Sequence, residues 1–105
     1  MVQIFFGQID AVTSALLPSS AHKGKIEAVK FLTKTVGVDP NFRGRQGMTA
    51  LHLAARSGKS DVVQFLLTID SIDLSIADDA GKKAIDYARA NGKDEIVALL
   101  LGEAN

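Results

Sequence analysis

Apolar and polar positions along this chain recur in blocks. Ile26, Val29, Phe31 and Leu32 follow Gly24-Lys25. Val62, Val63, Phe65 and Leu66 follow Gly58-Lys59, and Ile96, Val97, Leu99 and Leu100 follow Gly92-Lys93. The three glycines are 34 residues apart, and an acid stands three places after each of them: Glu27, Asp61 and Glu95. Repetition at this period marks stacked supersecondary units, none of which can bury its apolar face alone. It predicts a helical stack whose surface is used to bind another macromolecule.

The middle block reads as helix, turn, helix and loop. Thr49 is placed to cap a short helix from Ala50 to about Arg56, with Leu51, Ala54 and Ala55 small or apolar enough for close packing. Gly58 should end that helix in the left-handed conformation. Ser60 is then expected to cap a second helix whose apolar face is Val62, Val63, Phe65, Leu66 and Leu67. Asp70-Ser71 reads as a turn, and Ile72-Asp73-Leu74-Ser75-Ile76 alternates as an extended segment does. Asp78-Asp79-Ala80-Gly81 reads as a second tight turn. Towards the N-terminus, Val2, Phe5, Ile9, Val12 and Leu16 are helically spaced. They predict one helix over about 2–17, broken by Pro18-Ser19-Ser20 and paired with the helix that begins near Lys25.

Thr49-Ala50-Leu51-His52-Leu53-Ala54-Ala55 resembles the Thr-Pro-Leu-His-x-Ala signature of ankyrin repeats, with alanine in place of proline. Gly58, Asp61-Val62-Val63 and Phe65-Leu66-Leu67 are similar to that family's second helix. The period exceeds the family's usual spacing of about 33 by one residue, which falls after the second helix. The resemblance implies an all-α fold: an ankyrin-repeat solenoid of stacked helix-turn-helix units joined by hairpin-like loops. Residues 1–105 are expected to form one domain, with a divergent N-terminal unit at 1–46, a central repeat at 47–80 and a C-terminal capping repeat at 81–105. The last unit carries Lys83 at the Thr49 position and Asp86 at the His52 position, as capping repeats of the family do, and the array is expected to stop there. The resemblance further implies structural roles for Thr49, Gly58 and Gly92, and a hydrogen bond from His52 that ties one loop to the next. Asn41, in Val38-Asp39-Pro40-Asn41, stands where the family carries sites of asparaginyl hydroxylation; asparagine chemistry favours the alternative, that it serves only its turn.

Composition narrows the function more than the fold. The chain is 47% hydrophobic and 23% charged, which suits a packed domain of 105 residues. Its formal net charge is zero, so no global field draws it to nucleic acid or anionic membrane. The balance is uneven: residues 1–46 hold six Lys/Arg against three Asp/Glu, and residues 47–80 hold two against five. Without cysteine, disulfides and thiolate zinc sites are impossible, and a cytoplasmic or nuclear location is expected. Met1-Val2-Gln3-Ile4-Phe5-Phe6 lacks the basic residues of an export signal, and Gln8 and Asp10 interrupt the apolar run.

Candidate chemistry is sparse. Gly58-Lys59-Ser60 ends like a phosphate loop, yet Leu53 occupies the position of the required first glycine. His22 and His52 do not supply a metal site between them, and His22 reads as a solvated loop residue. Asp78-Asp79 and Asp94-Glu95 are acid–base candidates only if buried beside a pocket. No cofactor, no metal and no catalytic residue is expected, and the chain reads as a monomeric, non-catalytic module for another protein. The alternative is a regulatory or inhibitory subunit that occludes an enzyme's active site with the same surface. In the ankyrin family loop tips and exposed first-helix positions line the binding groove. The resemblance therefore implies contacts from Arg43, Arg45, Gln46, Met48, Arg56 and Ser57, with Asp79, Ala80, Lys82, Ala90 and Asn91 in the last unit. Met48 is expected to be an exposed apolar anchor, and arginines at one tip against Asp78-Asp79 at the next to set up a charge contrast.

Overall fold

A computed structural model describes residues 9–102. Six α-helices follow one another: α1 (Ala11–Lys23), α2 (Ile26–Phe31), α3 (Ala50–Ser57), α4 (Ser60–Leu67), α5 (Ala84–Ala90) and α6 (Asp94–Leu100). No strand occurs among the described residues. α1, α3 and α5 pack side by side as one layer, and α2, α4 and α6 form the second. The stack is elongated, with extents of 49 × 29 × 22 Å.

Each first helix reverses into the second in the same way. Gly24, Gly58 and Gly92 adopt φ of 73°, 73° and 67°, a left-handed conformation that glycine reaches without steric cost. The amide after each glycine donates five residues back: Lys25 to Ser20, Lys59 to Ala54 and Lys93 to Ala88, all at 2.9 Å. The glycine amides donate to Ala21, Ala55 and Arg89, completing a paired cap that satisfies the last carbonyls of the helix. The lysine of the following unit then covers the turn. A Cβ on Gly24 would lie 2.9 Å from Lys59 Cδ, and one on Gly58 would lie 3.1 Å from Lys93 Cε.

This reversal leaves no room for the cap expected from Ser60. Lys59 is the residue before α4, Ser60 is already helical, and the Ser60 hydroxyl donates instead to Glu95 Oε1 at 3.2 Å, in the next unit. α2 and α6 likewise begin without a side-chain cap. The end of α2 passes into a π turn at Leu32–Val36, with the Gly37 amide bonded to the Leu32 carbonyl. A π turn holds more residues than an α turn, so the second helix of the first unit ends more widely wound than α4 and α6.

The first unit departs most from the sequence reading. α1 does not break at Pro18: it starts at Ala11, with the Asp10 carboxylate accepting from the Thr13 amide at 2.8 Å, and runs to Lys23. Residues 2–8 of the expected helix lie outside the described residues. Proline inside a helix costs about 3 kcal/mol. Burial of Leu17, Pro18 and Ala21 against the rest of the stack, with caps at both ends, outweighs that penalty. The buried face is therefore Ser14, Leu17, Pro18 and Ala21, while Val12 and Leu16 are 77% and 51% exposed. Helical spacing identifies a helix here, and two of the apolar residues that carry the spacing, Val12 and Leu16, point away from the core.

The segment expected to be extended, 72–76, is a turn held by Asp73, whose carboxylate accepts from the Ser75 amide at 2.9 Å. Asp39 does the same for Asn41 one period earlier, so the two loops share one design. Each loop then closes a tip: the Gly44 amide donates to the Met48 carbonyl, and the Asp78 amide to the Lys82 carbonyl.

The core is continuous across the units. Leu17, Val29, Leu51, Val62, Val63, Leu66 and Ile96 are all essentially inaccessible. Leu66→Ala should therefore lower stability by about 2–5 kcal/mol, a large part of the roughly 5–15 kcal/mol typical of a domain. Urea unfolding of the variant and the parent measures the difference, with the lower midpoint expected at an unchanged slope.

Candidate functional site

The expected binding residues lie along the layer formed by α1, α3 and α5 and along the tips of the loops that precede α3 and α5. Thr49 and His52 set the start of α3. The Thr49 hydroxyl accepts from the His52 amide at 3.3 Å, and His52 Nδ1 accepts from the Thr49 amide at 3.1 Å. The other imidazole nitrogen lies 2.8 Å from the Lys82 carbonyl, which can only accept, so Nε2 carries the proton. One neutral ring thus caps its own helix and holds the next loop.

Other ties cross between units at nearly constant spacing. The Asn41 side-chain amide donates to the Ser71 carbonyl at 2.8 Å, and its oxygen accepts from the Asp73 amide at 2.9 Å. Ser57 Oγ meets His22 Nδ1 at 2.7 Å, and Asn91 Nδ2 donates to the Arg56 carbonyl at 3.0 Å. His22 is accordingly the last turn of α1 and not a loop residue. Its contact with Ser57 has the outline of a nucleophile–base pair, but no carboxylate orients the imidazole among the described residues. The contact joins two helix ends.

Met48 corrects an expectation. It is 3% exposed, because the tip folds back over it, so it lends only its edge to the surface. Arg43 is equally occupied. Its guanidinium donates to the Gly47 carbonyl at 3.2 Å and the Ala77 carbonyl at 3.0 Å, and it faces Asp79 at 3.6 Å. The Asp79 amide in turn donates to the Gln46 carbonyl at 2.9 Å. Arginine at one tip and aspartate at the next therefore pair with each other, and the charge contrast expected between the tips is spent inside the molecule. Gln46 sits at the summit with φ of 58°, exposed beside Arg45. Ala80, Lys82, Ala90 and Asn91 are exposed in the last unit, and Arg56 and Ser57 are half-buried.

Between these elements lies a cleft of about 360 Å³. Arg45, Gln46 and Met48 bound it on the loop side, and Leu53 and Arg56 on α3. The remaining wall is α1, through Ala15, Pro18, Ser19 and His22, none of which the sequence reading had placed there. Among the described residues no group of three or more His, Asp or Glu side chains is arranged to hold a metal, and no helix is long and apolar enough to cross a membrane.

Tyr87, also unforeseen, borders the same surface. Arg56 and Lys82 both stand 5.9 Å from its ring centroid, and His52 meets its edge at 6.0 Å. Its hydroxyl donates a hydrogen bond to buried Asp78, whose carboxylate also accepts from the Lys82 and Ala80 amides. The Tyr87 bond, more than any other influence, holds the Asp78 carboxyl below the ordinary carboxylate range, against the opposing effect of burial. The same bond, helped by burial, raises the Tyr87 phenol. Ser19, Leu53 and Tyr87 are spaced 34 residues apart, so the variable position of the repeat signature is the one that lines this surface. That offset was the available signal.

The comparisons with known proteins agree with the geometry. The family model described as ankyrin repeats, in three copies, matches residues 7–105, and the chain belongs to that family. No curated protein matches it. Among solved structures it is similar to a chain in the structure of "Bd0816 Predatory Endopeptidase from Bdellovibrio bacteriovorus in complex with immunity protein Bd3460", at 31% identity and a TM-score of 0.76. The match covers 85% of this chain and 46% of that one, so the present chain spans about half of its structural relative.

Two outcomes test the ties. Asn41→Ala should cost about 0.5–1.5 kcal/mol, since it removes two bonds that join consecutive loops at an exposed position where water can take over their partners; chemical unfolding measures it. Tyr87→Phe should lower the melting temperature most between about pH 4 and pH 10. A depressed Asp78 stabilises the folded chain above its unfolded pKa, and that share is lost as the pH falls through the folded value. A raised Tyr87 stabilises it below the unfolded tyrosine pKa and is lost as the pH climbs. The gap between parent and variant should therefore narrow at both ends of a melting-temperature profile against pH.

Proposed function

We propose that this chain is a non-catalytic protein-binding module that grips its partner along the first-helix layer and loop tips. The observation that carries this is the cleft between α1, α3 and the Gly44–Met48 tip, rimmed by Arg45 and Arg56 and floored by apolar side chains. Ankyrin membership supports it. The structural ties already described hold Arg43, Asp79 and Met48, which leaves Arg45, Gln46, Arg56, Ser57, Ala80, Lys82, Ala90 and Asn91 as the contact set. The partner is another protein, neither nucleic acid nor membrane, met by a single copy of the chain inside the cell.

A second reading has its own support. The structural relative belongs to a complex of an endopeptidase with an immunity protein, which favours a chain that occludes an enzyme's active site through the same cleft. The two readings separate on the partner's identity: an enzyme whose turnover falls to background at one equivalent of the chain favours occlusion.

Reversing Arg45 and Arg56 together to glutamate should leave stability within about 0.5 kcal/mol, as expected for surface positions. Partner capture should weaken, and the residual binding should lose its salt dependence. Affinity capture with the parent, this double variant and Gln64→Lys on the opposite face reads the result. Capture that survives the double reversal and fails with Gln64→Lys places the interface on the second-helix layer.

A further inference from the structure

We infer that the cleft between α1, α3 and the Gly44–Met48 tip takes a partner segment that presents a carboxylate side chain next to a small apolar one. This rests on the binding-module reading and gives its partner a chemistry. The floor is apolar, from Ala15, Pro18, Leu53 and the edge of Met48. The rim is cationic: Arg45 and Arg56 line it, and neither is in an ion pair among the described residues. No Asp or Glu lines the cleft.

Two acids of the neighbouring loop tip are already engaged. Asp79 faces Arg43 at 3.6 Å, and Asp78 is buried with Tyr87 and two backbone amides on its oxygens. Their engagement leaves an uncompensated positive rim on a molecule of zero net charge. Lys82 extends that rim into the last unit, across the Tyr87 ring from Arg56. Guanidinium groups take carboxylates by paired, charge-assisted hydrogen bonds, which are stronger than neutral ones and directional. The apolar floor supplies the remaining recognition, because a lone anion would leave Ala15 and Leu53 facing water. At about 360 Å³ the cleft has room for a few side chains of an extended segment.

The test is an amide-resolved NMR titration of the full chain with capped peptides. The probe is acetyl-Gly-Leu-Glu-Leu-Gly-amide, against versions with glutamine for glutamate and with glycine for both leucines. The expected result is saturable shifts at the amides of Ala15, Ser19 and Leu53. Affinity should be about tenfold weaker for each control peptide, a factor that corresponds to about 1.4 kcal/mol. The double variant Arg45→Gln with Arg56→Gln should bind the glutamate peptide no better than the glutamine one, with its amide spectrum otherwise preserved. Equal binding of the glutamate and glutamine peptides, equal binding of the leucine-free peptide, or shifts confined to another face each overturns the inference. Capture of a protein partner that still depends on Arg45 and Arg56 would then leave the binding-module reading standing, whereas loss of that dependence would remove both.

Discussion

A helix of seven or eight residues is too short to persist in water, because nucleating it costs more than so few hydrogen bonds return. Five of the six α-helices here are no longer than that. They persist because each is turned back onto a partner at once and the pair is laid against another pair. The turning point is the left-handed glycine at 24, 58 and 92, where the backbone reverses within one residue and satisfies the carbonyls it leaves behind. The reversal also fixes where the next unit goes, since the stems of Lys59 and Lys93 lie across the preceding glycine where a Cβ would stand. Substituting that glycine would strain the turn and lift the neighbouring unit together, so local conformation and long-range packing depend on one atom's absence.

The polar groups divide into those that hold units together and those that are left over. His52, Asn41, Arg43 and Asp79 look like surface residues by type, yet each reaches across to the next loop. Asp78 and Tyr87 are joined within the last unit. On the first-helix side Arg45, Arg56 and Lys82 remain outside any ion pair among the described residues, which gives that side of a neutral molecule a cationic rim.

Much of this was legible in the sequence, for a physical reason: a recurring turn demands a recurring glycine, and a recurring packed face demands recurring apolar side chains. The helix boundaries at Gly24, Gly58 and Gly92 follow directly, as does the α3 cap from Thr49. The failures share a cause as well. Local propensity makes Pro18 a helix breaker, and packing against α3 overrides that propensity. Helical spacing identifies a helix without saying which side meets a neighbour, and Val12 and Leu16 lie on the exposed side. Nothing in the type of Met48 reveals that a loop folds over it, nor in that of Arg43 that it bonds a carbonyl 34 residues away while staying exposed. The α1 wall of the cleft went unseen because it needed α1 to continue past Pro18.

Among the described residues, every side-chain hydrogen bond between units joins residues only 30–35 positions apart, from Asn41 with Ser71 to Arg56 with Asn91. Among the described residues no hydrogen bond links the first pair of helices to the last. Loop-closure entropy grows with the length of chain that must be gathered, so this architecture never has to close a long one. Folding can begin wherever one helix pair forms and spread to either side, each new pair docking on a surface that already exists. Speed of assembly is then a property of one unit and its neighbour, and lengthening such a stack would add sites for binding without adding a slower step to reach them.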